Sequence, residues 1–139
     1  MIDRIPSNEM HELVERNAPD MALGPQSRGQ GSWVFLRMVS EDGTNFLQGF
    51  AGAETFKTQR GWCFRVCAIW VDPACRGIGF GKVLLDHVER AAQGEFEGEA
   101  AVASIAKLPT DSSAASALFS SAGYELTKKA TQITASREW

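Results

Sequence analysis

The part of this sequence best suited to chemistry is Arg76-Gly77-Ile78-Gly79-Phe80-Gly81, followed by Lys82. It comes after an apolar run ending in Ile69-Trp70-Val71 and the stop Asp72-Pro73, and it opens an amphipathic stretch. A glycine-rich turn between a strand and a helix points several backbone N–H groups outward, and the helix N-terminus adds the positive end of its dipole. Together they make an anion site suited to a pyrophosphate. Glycine lets the main chain approach phosphate oxygens with no Cβ in the way, while Arg76 and Lys82 add positive charge at either end.

Three phosphate-binding patterns compete for this segment. A P-loop needs Gly-x-x-x-x-Gly-Lys-Ser/Thr, but Gly81-Lys82 is followed by Val83, and Arg76 stands where the first glycine belongs. A dinucleotide fingerprint needs Gly-x-Gly-x-x-Gly early in a parallel unit; here the third glycine comes one residue too soon, and the preceding strand belongs to a meander. The third pattern is Arg/Gln-x-x-Gly-x-Gly/Ala after a strand ending in Val-x-Pro. Val71-x-Pro73 and Arg76-x-x-Gly79-x-Gly81 fit it at every position.

The elements around this turn follow from periodicity and punctuation. Met10, Leu13 and Val14 recur at helical spacing behind Ser7, which is expected to cap a helix over residues 7–17. Asn17 to Ser32, with Pro19, Pro25 and glycines at 24, 29 and 31, reads as a long loop. Strands are expected over Trp33–Val39, Asn45–Phe56 and Trp62–Val71, joined by turns at Glu41-Asp42-Gly43-Thr44 and Thr58–Gly61. Gly49 and Gly52 mark bends or close backbone approach in the second of them.

Beyond the glycine turn, Lys82–Ala92 is expected to be a helix. Leu84, Leu85, Val88, Ala91 and Ala92 share its inner face, with Asp86, Glu89 and Arg90 opposite. A small-residue strand over Ala100–Ala106 follows, then a second helix from Asp111 to Ala122, capped by Asp111 or Ser112 and stopped at Gly123. Tyr124–Leu126 and Thr131–Ser136 close the chain as strands. A meander leading into a crossover gives an α/β (α+β) fold, a mixed sheet with helices on its faces. No repeat or linker interrupts it, so residues 1–139 read as one domain.

Bulk composition narrows the function. A formal net charge of -3 argues against general affinity for nucleic acid, which needs a basic face. The apolar run at 66–71 is far short of a membrane span, and Met1–Pro6 lacks the apolar core of a signal peptide. Cys63, Cys67 and Cys75 form an odd, sparse set that suits reduced thiols in a cytoplasmic protein. Their spacing, with His11 and His87 far away, implies no metal site.

The third phosphate pattern is the coenzyme A signature of the GNAT-type N-acetyltransferases, and the sequence resembles them there. A second match, Ala115-Ser116-Ala117-Leu118-Phe119-Ser120-Ser121-Ala122-Gly123-Tyr124, is similar to that family's Ala-x-x-Leu-Tyr-x-x-x-Gly-Phe segment. The order of elements agrees along essentially the whole chain. The resemblance implies a mostly antiparallel central sheet with a splayed strand pair that binds acetyl-coenzyme A, and transfer of the acetyl group to an amine by direct attack. It implies that the backbone of Ile69, Trp70 and Val71 pairs with the pantetheine arm, in a slot against the Ala100–Ala106 strand. It also implies that amides from Gly77 to Lys82 (Gly77, Ile78, Gly79, Phe80, Gly81, Lys82) hold the pyrophosphate, and that Ser112 and Phe119 lie near the thiol end.

The catalytic groups depart from the resemblance. Aligned on Arg76 and Val71, the usual base positions on the central strand hold Arg65 and Cys67, and Phe119 stands where the family often has a tyrosine. An amine near pKa 10.4 must lose a proton before it attacks. A held water could relay it; otherwise Glu54, Asp72, Tyr124 and Cys67 are the candidate catalytic groups. Arg65 is a candidate for binding an acidic group on the acceptor. A catalytically reduced acyl-coenzyme A sensor stays open as the alternative, and a homodimer through the C-terminal strands is a further expectation.

Overall fold

The computed structural model describes residues 1–19, 31–110 and 112–139. Most of the loop expected between Asn17 and Ser32, and Asp111 as a candidate cap, lie outside them.

Seven strands form one sheet: β1 (Ile2–Arg4), β2 (Trp33–Val39), β3 (Leu47–Thr58), β4 (Gly61–Val71), β5 (Ala103–Leu108), β6 (Glu125–Lys129) and β7 (Gln132–Glu138). The order across the sheet is β1-β2-β3-β4-β5-β7-β6. The expected meander is present, since β2, β3 and β4 pair antiparallel in sequence, and β4 pairs with β5 in parallel. Three helices complete the fold: α1 (Ser7–Asn17), α2 (Phe80–Gly94) and α3 (Ser113–Ser121).

Alternation along β2 explains the layers. Val34, Leu36 and Met38 join one cluster with Leu84, Leu85 and Val88 of α2 and Phe119 of α3. Phe35, with Trp33 packed beside it, joins Met10 and Val14 of α1 on the other face. A strand covered on both faces carries few polar residues, and β2 has only Arg37. That arginine is used across the sheet. Its Nε and Nη2 donate to the two carboxylate oxygens of Asp3 at 3.1 Å each, across the register pair Asp3–Arg37. This fork ties down β1, a three-residue strand too short to be read from periodicity.

Two local expectations need correction. Ser7 is not the cap of α1: Pro6 holds that position with extended backbone and gives no side-chain hydrogen bond. The ring fixes φ at −74° in the extended conformation that a cap position takes, but it offers no acceptor for the first helical amides. Glu89, expected on the solvent face of α2, is 5% exposed. It completes the Leu85–Val88–Ala92 stripe from the side and is tolerated there because Tyr124 donates to it.

Elsewhere boundaries moved by a few residues. α2 starts at Phe80 rather than Lys82, and β5 covers Ala103–Leu108 rather than Ala100–Ala106. Gly123 follows the end of α3 with φ +92°, the left-handed stop its position suggested.

Candidate functional site

The candidate site is built on the second half of β4. The first half pairs with β5 over four registers only, Cys63–Ala103, Phe64–Ser104, Arg65–Ile105 and Val66–Ala106. Past Val66, β5 continues along β7 through Lys107–Thr134 and Leu108–Ile133. β4 continues along β3 through Ala51–Ile69, Phe50–Trp70 and Gly49–Val71. Among the described residues, the edge of β4 from Cys67 to Val71 therefore has no partner strand on the β5 side.

The divergence begins at an irregularity. Gly52 pairs with Ala68 and Ala53 with Val66, so Cys67 is an extra residue on β4. Such a bulge increases the local twist and re-aims the strand. On the opposite edge β4 stays tight against β3, and Gly49 shows why a glycine is needed: a Cβ there would lie 2.5 Å from the Trp70 carbonyl oxygen and 2.8 Å from Leu84 Cδ1.

The open strand leads straight into the glycine turn. Asp72 ends it, its carboxylate accepting the Ala74 N–H at 2.9 Å to cap the single 3-10 turn Pro73–Cys75. Gly77 and Gly79 take φ +84° and +90°, and Gly79 is the cap residue of α2 with no side-chain cap bond. The first intrahelical bond runs from Val83 N–H to the Gly79 carbonyl at 3.2 Å. The N–H groups of Phe80, Gly81 and Lys82 thus precede the helix ladder, at an exposed surface flanked by Arg76 and Lys82. Arg76 folds back to donate from Nε to the Val71 carbonyl at 2.8 Å, which lays its guanidinium across the strand end.

These features test whether an acyl-coenzyme A fits. The arm of that molecule carries amides, which need a free strand edge, and its diphosphate needs unpaired donors beside positive charge. The open edge from Cys67 to Val71 and the amides at the start of α2 are continuous and supply both. The residues present fit the group.

The catalytic candidates separate clearly. Cys67 is half-buried, and burial pushes its thiol up to about 12, which disfavours the thiolate that a nucleophile needs. Tyr124 is buried as well, with its hydroxyl donating to Glu89 Oε2 and accepting from Ser104 Oγ, each at 2.8 Å. Burial raises its pKa first of all, and the hydroxyl is committed to that network. The carboxylate of Asp72 is committed to its cap.

Glu54, of a residue type that is usually solvated, is 5% exposed. It sits opposite Arg65 in the β3–β4 register, and the two approach to 4.0 Å. Arg65 thus has a carboxylate neighbour within its own sheet. Of the two residues expected near the thiol end, Ser112 accepts the Ala115 N–H at 3.2 Å as the cap of α3. Phe119 is buried edge-on against Tyr124, ring centroids 5.0 Å apart.

Sequence reasoning missed the buried polar chain from Trp139 Nε1 to Ser104 Oγ (2.9 Å), on to Tyr124 and to Glu89, with Arg137 at 3.9 Å from the carboxylate. A charged residue flanked by the apolar positions Leu85, Val88 and Ala92 was the available signal.

Comparison with known proteins agrees with this geometry. No curated protein matches the sequence. Among solved structures, a phosphinothricin acetyltransferase of Sinorhizobium meliloti in complex with AcCoA superposes with a TM-score of 0.68 at 16% identity, over 99% of this chain and 87% of the other. A ribosomal-protein-alanine N-acetyltransferase of Brucella melitensis gives a TM-score of 0.61 at 18% identity, over 97% of this chain and 80% of the other. PaiA N-acetyltransferase of Thermoplasma acidophilum in complex with coenzyme A gives 0.63 at 12% identity, over 77% of this chain; the match spans 61% of the longer Thermoplasma chain. At such identities the likeness shows the fold. The profile of the acetyltransferase (GNAT) family matches residues 4–124, and the chain belongs to that family.

Proposed function

We propose that this protein is an acetyl-coenzyme A-dependent N-acetyltransferase that transfers the acetyl group to an amine within a ternary complex. The observation that carries the reading is the β4 edge, without a partner strand among the described residues, running into the exposed amides of the glycine turn. When bound, the thioester supplies an activated acetyl group.

The chain's own residues then have distinct roles. The main chain of Ile69, Trp70 and Val71 takes the pantetheine arm as an added strand. The amides from Gly77 to Lys82, with Arg76 and Lys82, hold the diphosphate. Ser112 and Phe119 flank the thiol end through the start and the inner face of α3.

Glu54 is the carboxylate best placed to receive a proton from the acceptor amine. It lies on the α1 face of β3, beside the bulge at Cys67 where the two halves of the slot part. Arg65, 4.0 Å from that carboxylate, orients an anionic group on the acceptor. The free cysteines Cys63, Cys67 and Cys75 support a reducing, cytoplasmic setting. β6, at the sheet edge, is the surface a homodimer of the C-terminal strands would use.

The test is thiol release from acetyl-coenzyme A across amines, polyamines, amino acids and peptides, beside calorimetric binding of coenzyme A. Turnover with one acceptor class is expected, and Glu54→Gln should lower kcat by about 10²-fold or more with little change in KM for acetyl-coenzyme A. Tight binding with no turnover would instead select an acyl-coenzyme A sensor, a reading favoured by the engaged Tyr124 hydroxyl and by Phe119. Absence of coenzyme A binding would exclude both.

A further inference from the structure

The proposed slot has two sides that belong to different parts of the chain. One is β4 with α2; the other is β5 with α3, β6 and β7. Among the described residues, β4 and β5 pair over four registers that end at Val66–Ala106, where the open edge begins, and at the far end the Val102 N–H donates to the Trp62 carbonyl at 2.8 Å. The separation of the two sides beyond that point must be fixed by side chains.

One polar cluster crosses between them. Glu89 projects from α2 and is 5% exposed. It accepts from the Tyr124 hydroxyl at 2.8 Å, and that hydroxyl accepts from Ser104 Oγ of β5 at 2.8 Å. Ser104 is fully buried and in turn accepts from Trp139 Nε1 at 2.9 Å. Arg137 of β7 lies 3.9 Å from the same carboxylate oxygen, donates to the Ala122 carbonyl at the end of α3 at 2.9 Å, and stacks 3.8 Å over Trp139. No buried side-chain nitrogen or oxygen among the described residues is left without a partner. A buried polar network that is fully satisfied holds its members in one geometry.

We infer that Glu89 and Tyr124 are positioning residues: their hydrogen bond braces the cofactor helix against the C-terminal half and sets the width of the slot for the pantetheine arm, without touching the cofactor. This rests on the functional reading above. The brace lies behind Phe119, whose ring packs on Tyr124, so loosening it also loosens the wall at the thiol end.

Removing the central hydroxyl leaves the Glu89 carboxyl and the Ser104 hydroxyl without that partner while keeping the aromatic ring. On that reading the arm of the cofactor would lie in the slot, and its nucleotide end would be held by α2 and the glycine turn. The two ends can therefore be separated by ligand choice. Calorimetry on wild type, Tyr124→Phe and Ser104→Ala would use coenzyme A and adenosine 3′,5′-bisphosphate, which lacks the arm. Val14→Ala, a core truncation on the α1 face, serves as a variant destabilised elsewhere.

In Tyr124→Phe, coenzyme A affinity should fall about tenfold, the loss expected when a buried hydrogen-bond pair is broken. Affinity for the bisphosphate should hold, and Val14→Ala should alter neither. Equal losses for both ligands would make the cluster a general stability element and overturn the inference. Unchanged coenzyme A affinity in both Tyr124→Phe and Ser104→Ala would overturn it too. Wild type with no affinity for coenzyme A would instead sink the functional reading beneath it. If Tyr124→Phe does not fold, Ser104→Ala, which cuts the same chain one link away, decides alone.

Discussion

Replacing Gly79 and Gly81 separately by alanine divides what the glycine turn does for the fold from what it does for a ligand. Gly79 has φ +90°, and nothing lies within 4 Å of the place its Cβ would occupy. The obstacle is therefore the backbone conformation, which costs an L-residue about 1–2 kcal/mol. For a chain of this length each kcal/mol moves the melting temperature by about 3–5 °C, so Gly79→Ala should melt about 3–10 °C lower.

Gly81 differs. It lies inside the first turn of α2, and a Cβ would make ordinary contact with Leu118 Cδ2 at 3.5 Å and Val71 Cγ2 at 3.9 Å. Alanine there removes a helix penalty of up to about 1 kcal/mol and should hold or raise the melting temperature.

Ligand binding gives the second readout. A residue at 79 that relaxes out of the left-handed region swings the amides of Phe80 and Gly81 away from their common focus. Losing one charge-assisted hydrogen bond of about 1.5–3 kcal/mol corresponds to roughly 10- to 150-fold in Kd for coenzyme A. In Gly81→Ala the amide stays in place, and the loss should be smaller by at least about fivefold. Thermal melts and isothermal calorimetry on both variants decide the matter. Gly79→Ala melting and binding like wild type, or equal losses in the two variants, would deny the left-handed turn this role.

Two further outcomes follow from the titrating groups. With its pKa pushed up to about 12 by burial, Cys67 should resist iodoacetamide at pH 8 far longer than a free thiol, and Cys67→Ala should keep kcat within about threefold; fast alkylation seen by mass spectrometry would contradict this. The Glu89 carboxyl is raised above its ordinary 4.5, first by burial and also by Asp86, against the Tyr124 hydrogen bond and Arg137. A raised acid binds its proton more tightly when folded, so its contribution is complete below pH 4.5 and is lost as pH climbs through the folded value. Denaturant melts between pH 4 and 8 should show that fall, and Glu89→Gln should remove it. Asp42 has the opposite sign: the Thr44 hydroxyl, then its amide, and Ser40 hold it at about 2, so its contribution persists above pH 3.8 and fades on acidification towards 2.

The fold was legible in the sequence where one physical signal dominated. The meander followed from apolar runs separated by turn residues, and the glycine turn from a pattern that failed two alternatives and fitted the third. α3 followed from the capping hydroxyl of Ser112 and the stop at Gly123. What stayed hidden depends on pairing across the sheet. β1 is held by an Arg37–Asp3 fork between residues 34 positions apart, which no local window detects. Glu54 looked solvated because its type usually is; only the register that sets it opposite Arg65 shows otherwise. Glu89 looked outward because it is charged, although helical phase sets it beside Leu85 and Ala92; its burial depends on Tyr124 and Arg137, both distant in the chain.

The brevity of the β4–β5 contact also bears on how the molecule comes apart. Segments β2 to α2 are joined by neighbours in sequence, and so are α3, β6 and β7. β5 links the two groups, pairing with β7 on one side and with β4 on the other through four parallel pairs that close a loop of about forty residues. Joining them is expected to be a slow, entropically costly event of folding, because long loops must close before their contacts form. It should also be the first contact to open, so amides of β6 and β7 exchange with solvent water at a lower free energy than those of β3, and the C-terminal hairpin behaves as its own cooperative unit.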